Sequence, residues 1–280
     1  MADCEGHSAS LRAMVLQVEA IARSAGDIAL AHFRSLSGVP VEQKGHLDLV
    51  TRADREVEAY LIASLRAAFP EDGIFGEEGG DIAGVSGRTW VLDPIDGTFN
   101  FVRGSQNWAI SIGLFAAGRP VFGVIFAPAR DLMLSGGEAS PSRLNDAPLP
   151  ALPRFDPARG SVGIGLHPSI ATRDRLEVLR FISDELRFTF RCCGASTISL
   201  IEVALGETDG YLALGDASWD VMAALPILAN LGISHTIDWH HTHLQAKLRF
   251  ACGSAAFLAE VRPLLAILDA TPPESRGAHD

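Results

Sequence analysis

The apolar positions Leu11, Met14, Val15, Val18, Ile21, Ala22, Ala25, Ile28, Ala29 and Phe33 recur at three- and four-residue intervals. That is the spacing of one helical face, and it predicts a long amphipathic helix. Ser37-Gly38 and the following Pro40 are expected to end it, and residues 1–10 read as a disordered leader. An extended piece over 41–44 leads to Asp48-Leu49-Val50-Thr51. Residues 54–69 read as a second helix, with Val57, Leu61, Leu65 and Ala68 on one face. Pro70-Glu71-Asp72-Gly73 turns the chain into Ile74-Phe75, a short strand that delivers Glu77. Trp90-Val91-Leu92 is an apolar run of the buried-strand kind, which Pro94 is expected to stop. Gly97 permits a tight bend, and Thr98 is expected to cap a short helix through Phe99, Asn100 and Phe101.

Past this point the pattern changes. Residues 108–115, 120–126 and 132–135 are short apolar runs separated by turn residues, which predicts an antiparallel meander. Residues 136–160, rich in Pro, Gly, Ser and Asp, read as a connector with a hairpin turn at Asn145-Asp146. Strands and helices then alternate. Strands are expected over 161–166, 187–191, 211–214, 233–239 and 244–251. Helices are expected over 170–186, 196–205, 220–231 and 254–268.

At 280 residues the chain is long enough for one large domain or two packed lobes. A formal charge of −11 argues against a nucleic-acid-binding surface and suits a site that takes up cations, although solubility alone also explains it. Cys4, Cys192, Cys193 and Cys252 lack the spacing of a zinc site or a disulfide framework, so free thiols in a reducing cytoplasm are expected. No signal peptide and no apolar run long enough to span a membrane is visible.

The chemistry concentrates in residues 90–104, WVLDPIDGTFNFVRG. Asp93 and Asp96 follow an apolar strand and precede a possible helix start. Carboxylates hold hard divalent cations, and free backbone N–H groups hold phosphate. An Asp-Pro-x-Asp-Gly run is also a good surface turn, and that reading stays open on these residues alone. The nucleophile loop of haloacid dehalogenase phosphatases is a poorer match, because its acids are two apart and these are three apart.

The run resembles the metal-binding motif of the inositol monophosphatase family, Asp-Pro-Ile-Asp-Gly-Thr-Thr-Asn-Phe, with Phe99 in place of the second Thr. Three further stretches resemble that family in the same order: Lys44 to Asp54 (KGHLDLVTRAD), Gly76-Glu77-Glu78 and Trp219-Asp220. The resemblance, taken with the pattern, implies a layered α/β sandwich of alternating helix and sheet layers, with two lobes (1–140 and 155–270) sharing one metal site. The tail 271–280 is expected to be disordered, and a homodimer is implied.

The resemblance also implies a site. Asp93 bridges two metals, with Glu77 and the Ile95 carbonyl at the first and Asp96 and Asp220 at the second. Two or three Mg²⁺ ions are expected. Thr98 orients the attacking water, Asp54 accepts from the Thr98 hydroxyl, and Glu77 shares in activating the water, while Glu78 remains ambiguous. Phosphate rests on the N–H groups of Gly97 and Thr98, with Asp96, Gly194 and Ala195 contacting substrate and Lys44 adding charge. The implied activity is hydrolysis of a small phosphate monoester, inositol monophosphate by default. Histidinol phosphate, fructose 1,6-bisphosphate and 3′-phosphoadenosine 5′-phosphate are alternatives, and a non-catalytic binding module is an alternative of another class.

Three departures bear on substrate. Ala213 stands where inositol-handling members carry a Glu six residues before Trp-Asp, Gly194-Ala195 matches the family's Gly-Thr-Ala backbone contact only approximately, and Ala229-Asn230-Leu231-Gly232 replaces the usual Glu-Ala-Gly-Gly. His241 and His243 would share one face of a strand, which is either a metal pair or a solvated strand end.

Overall fold

The computed structural model describes residues 2–36, 41–45, 48–79, 81–138 and 140–270, with the backbone alone over 2–11, 41–45 and 48–51. The elements of the first half are α1 (Ala2–Phe33), β1 (Val41–Gly45), β2 (Asp48–Thr51), α2 (Arg52–Ala68), β3 (Gly73–Gly76), β4 (Arg88–Asp96), α3 (Thr98–Val102), β5 (Ala109–Ala116), β6 (Arg119–Ala127), β7 (Leu132–Gly137), β8 (Ser140–Leu144) and β9 (Ala147–Pro148). Those of the second half are β10 (Ser161–Leu166), α4 (Thr172–Arg180), β11 (Thr189–Arg191), α5 (Ser196–Ala204), β12 (Gly210–Asp216), α6 (Ser218–Val221), α7 (Ala224–Ala229), β13 (Ser234–His235), β14 (Leu248–Gly253) and α8 (Ala255–Ala270).

Strands β3 to β9 form one sheet in chain order, all neighbours antiparallel except β3 and β4. The second sheet runs β11-β10-β12-β14-β13, and β1 and β2 pair separately. On one face of the first sheet, Trp90, Leu92, Ile110, Ile112 and Val124 pack against α1 and α2 through Val18, Ala25, Val57 and Leu61. Its other face, with Val91, Ile125 and Leu134, meets α5 and α7. Those helices in turn cover Tyr211, Ala213 and Phe250 of the second sheet. The far face of that sheet (Val162, Ile164, Leu212, Leu214) packs on Val178 of α4 and on Val261 and Leu264 of α8. The result is five alternating layers, α/β/α/β/α. Both faces of each sheet are covered, so the central strands read as continuous apolar runs.

Two glycines allow the middle layer to come close. Gly113 and Gly123 are register partners on β5 and β6. A Cβ at Gly113 would lie 2.5 Å from Met222 Cγ, and one at Gly123 would lie 2.5 Å from the backbone carbons of Ala223. The link between α6 and α7 therefore rests directly on the sheet backbone.

Several expectations change. Residues 2–10, expected to be a disordered leader, belong to α1, since no proline interrupts its first turns and propagation adds one bond per residue. Pro94 does not end its strand. The pairing of β3 with β4 stops at Leu92, so the missing N–H of Pro94 falls where no partner awaits it. Thr98 is not the cap; Gly97, left-handed at φ 88°, takes that position and Thr98 opens α3. The hairpin at Asn145-Asp146 forms, both residues having positive φ, but β8 and β9 extend the first sheet instead of serving as a connector. The helix expected over 220–231 is broken into α6 and α7. Pro226 cannot donate to Met222, and its ring crowds that carbonyl. The helix expected over 170–186 ends in a wider π turn over Phe181–Leu186. The expected strands over 233–239 and 244–251 shrink to β13 and β14, with turns between. His241 lies in one of those turns, exposed, its Nδ1 2.7 Å from Asp238 Oδ2, so the shared strand face does not exist. The tail lies outside the described residues.

Candidate metal and phosphate site

Strand β4 delivers two acids to one place by means of an irregularity. Asp93 pairs with Ser111 and Asp96 with Ala109, so β4 carries one more residue than β5 across that interval. Regular alternation would send residues three apart to opposite faces; the bulge turns Asp96 back towards Asp93. The Ile95 N–H donates to Asp93 Oδ1 at 3.0 Å and holds the bend.

The chain then turns at Gly97. A Cβ there would lie 2.8 Å from both Ala195 Cβ and the Asn107 carbonyl oxygen, so only glycine admits the second half this closely. Asn100 Nδ2 ties the halves by donating to the Asn107 and Cys193 carbonyls, each at 2.8 Å. The Thr98 hydroxyl lies 3.2 Å from Oδ1 of the buried Asp54 and 3.1 Å from the Ile95 carbonyl. From the second half, the N–H of Ala217 donates to Asp220 Oδ2 at 2.7 Å, holding that side chain at the start of α6. Ser111 Oγ donates to the Trp219 carbonyl at 3.1 Å, and Trp219 packs on Phe75.

Ligand oxygens of Asp93, Asp96 and Asp220 lie within 4.8 Å of one another. Glu77 follows β3, where its N–H donates to the Leu92 carbonyl at 3.2 Å, and its side chain hydrogen-bonds Asp93. Burial, then the charges of Glu77, Asp96 and Asp220, hold the Asp93 carboxyl well above its ordinary range. Asp220 is raised for the same reason, burial first and then Asp216 and Asp96. Burial also raises Asp96, although Thr197, Ser196 and Gly97 donate hydrogen bonds that favour its charge. Four acids crowded together, two of them buried and two half-buried, fit a multivalent cation, and an all-oxygen donor set selects a hard one. The thiol nearby, Cys193, is pushed up to about 11 by burial and faces Glu202 instead.

A cavity of about 230 Å³ opens beside the acids, lined among others by Asp96, Gly194, Ala195, Tyr211, Asp216 and Asp220. A larger one of about 510 Å³, around Phe155 and Gly206, has no such cluster and stands apart from this chemistry. The structure thus brings together Asp54, Glu77, Asp93, Ile95, Asp96, Gly97, Thr98, Gly194, Ala195 and Asp220. The Lys44 side chain lies outside the described residues. The backbone N–H of Glu78 donates to Glu58 Oε1 at 2.9 Å. Ala213 is fully buried in the apolar layer and does not line the cavity, so it marks no ligand contact.

Sequence reasoning missed four residues. The Thr197 hydroxyl and N–H both reach Asp96 Oδ2, the latter at 2.6 Å. Tyr211 Oη lies 2.9 Å from Asp216 Oδ2 and 3.0 Å from Ser196 Oγ. Burial pushes Asp216 up to about 6, against the hydroxyls of Ser196 and Tyr211, which pull it down. The available signal was Gly215-Asp216, a glycine and an acid ending an apolar strand.

Comparison with known proteins bears on this geometry. The model of a family described as the inositol monophosphatase family matches residues 11–262. A Rhizobium meliloti protein named inositol-1-monophosphatase is 32% identical over 221 residues, 78% of this chain and 82% of that one. A Xylella fastidiosa protein named Nus factor SuhB is 31% identical over 216 residues, 75% of this chain and 77% of that one. The crystal structure of extragenic suppressor protein suhB from Bartonella henselae superposes with a TM-score of 0.82 at 25% identity, covering 92% of this chain and 100% of that one.

Proposed function

Because the chain belongs to the inositol monophosphatase family, we propose that it is a Mg²⁺-dependent phosphomonoesterase acting on a small alcohol phosphate, inositol monophosphate by default. The observation that carries this reading is the group formed by the buried Asp93 and Asp96 and the half-buried Asp220, drawn from both halves of the chain, with Glu77 against Asp93.

Glu77, Asp93, Asp96, Asp220 and the Ile95 carbonyl would hold the ions. Two or three Mg²⁺ ions bound there would neutralise the phosphate, polarise water and stabilise the departing oxygen. Thr98 orients the water: its hydroxyl donates to Asp54 and presents its oxygen to a water proton. Glu77 assists in withdrawing that proton. The water oxygen bonds to phosphorus as the ester P–O bond breaks, and the alcohol leaves with a proton. The N–H of Thr98, at the bend after β4, supports a phosphate oxygen; that of Gly97, expected to share this role, donates to the Asp96 carboxylate instead.

The test is phosphate release from inositol 1-phosphate, glycerol 2-phosphate and p-nitrophenyl phosphate, with Mg²⁺ and after EDTA. Release that stops on chelation and returns with Mg²⁺ is expected; none with any divalent metal would refute the reading. The names of the SuhB relatives favour a second reading, a non-catalytic factor on the same fold, which that negative result would support. The family likeness also supports a cytoplasmic homodimer, which sedimentation would test. No described helix is long and apolar enough to cross a membrane.

A further inference from the structure

The acid set is larger than the metal site uses. Asp216 ends β12 and is buried, yet it lines the cavity beside Asp96 and Asp220. Its direction is decided by a bulge. Leu214 pairs with Arg249 and Asp216 with Leu248, so Gly215, at φ 99°, is an extra residue on β12. Without it Asp216 would follow Leu212 and Leu214 into the outer apolar layer. The bulge swings it to the face of Tyr211, which its carboxylate meets at 2.9 Å. Gly165 opposite makes room: a Cβ there would collide with Tyr211 Oη and lie 3.0 Å from Asp216 Oδ1.

Tyr211 and Ser196 supply two hydrogen bonds to this carboxylate. A carboxylate accepts about four, so capacity remains for a ligand. Among the described residues the cavity lining contains no Lys or Arg, and its imidazole, the half-buried His167, lies with Nδ1 2.6 Å from Ser169 Oγ. Lys247 is the cation whose charge reaches Asp216; it is exposed, its Nζ 5.9 Å from the centre of the Trp219 ring. A second phosphate on the substrate would therefore face a carboxylate with no Lys or Arg among the described lining residues to receive it.

Resting on the phosphatase reading above, we propose that Asp216 is a specificity-determining residue. It accepts a hydrogen bond from a hydroxyl or ammonium group on the alcohol half of the substrate and disfavours an alcohol that carries a second phosphate. This places histidinol phosphate and polyol monophosphates ahead of fructose 1,6-bisphosphate and 3′-phosphoadenosine 5′-phosphate.

The experiment compares kcat/KM for inositol 1-phosphate, 2-aminoethyl phosphate, fructose 1,6-bisphosphate and phenyl phosphate in wild type, Asp216→Asn and Tyr211→Phe. A hydrogen bond to a charged group is worth about 10- to 150-fold. Asp216→Asn should lower the ratio of a donor-bearing substrate to phenyl phosphate by about tenfold or more and raise the relative rate of the bisphosphate. A larger loss for the amine identifies an ammonium ligand, because the amide keeps an acceptor but not the charge; a larger loss for inositol 1-phosphate identifies a hydroxyl. Tyr211→Phe keeps the carboxylate and should keep most of the preference. Ratios unchanged in Asp216→Asn, or lost only in Tyr211→Phe, would overturn this proposal and leave the phosphatase reading standing. Should the variants fail to fold, a wild-type preference for the bisphosphate over inositol 1-phosphate overturns it alone. No metal-dependent release from any substrate by wild type would overturn both.

Discussion

Replacing Gly123 with alanine should damage the site from a distance, through the fit between the first sheet and the middle helices. The added Cβ would lie 2.5 Å from the backbone carbons of Ala223, where ordinary contact starts at 3.4 Å. The link between α6 and α7 must then retreat by roughly 1 Å, and it cannot do so by a rotamer change, because the obstacle is main chain. Ala223 lies three residues beyond Asp220, so the displacement reaches the acid that the second half contributes. Overpacking of this kind costs about 1–3 kcal/mol, which lowers Tm by about 2–10 °C for a domain of this size. A misplacement of about 1 Å in a catalytic constellation costs on the order of 100-fold in rate. Scanning calorimetry gives the first quantity; Mg²⁺ titration and phosphate release give the second. Gly118→Ala is the control: Gly118 has positive φ (77°), unlike Gly123, and nothing lies within 4 Å of its added Cβ, so it should lose stability through backbone strain alone and keep its Mg²⁺ affinity. If Gly123→Ala matched wild type in Tm, Mg²⁺ affinity and rate, or if both variants lost Mg²⁺ affinity equally, the argument that this contact positions Asp220 would be refuted.

Three further substitutions probe the site directly. Asp93→Asn keeps the shape of the bridging side chain and removes its charge, so hydrolysis should fall by more than about 1,000-fold with Tm little changed; activity within about tenfold of wild type would contradict the assignment. Thr98→Val removes the hydroxyl facing Asp54 and should lower kcat by about 10²–10⁴-fold with Mg²⁺ affinity retained. Normal kcat with weakened Mg²⁺ binding would instead make Thr98 part of the ion's support. Thr197→Val deletes a hydroxyl that holds Asp96, and calorimetric Mg²⁺ affinity should drop by about 10- to 100-fold, with partial rescue in Thr197→Ser; equal loss in both variants would point to a packing role.

The parts of the site that the sequence made legible are local. Asp93, Asp96, Gly97 and Thr98 occupy one short stretch, where strand end, turn and helix start follow from residue types within a few positions. Glu77, Asp54 and Asp220 entered only through family resemblance, since nothing in their own surroundings distinguishes them from surface acids. Ala213 was singled out by counting back from Trp219 without a gap; in the structure it is buried, and Asp216, turned by the bulge at Gly215, is an acid of β12 that lines the cavity. Thr197 had no signal of its own, because it stands in α5 and its partner Asp96 ends β4, 101 residues earlier.

Periodicity was sufficient for the long helices and for β10, because one side of α1 or α2 must be buried wherever that side lands. It was insufficient where a second element decides the outcome. Whether Pro94 ends a strand depends on whether a neighbour needs its N–H, and β3 stops short of it. Whether Asp96 and Asp216 face inward depends on bulges, which are set by pairing with β5 and β14. The sequence alone determined the local conformations and the stock of acids, because steric preference and burial act over a few residues. Only the tertiary structure decided which acids meet, because strand register and the close approach at Gly97, Gly113 and Gly123 are properties of two segments at once.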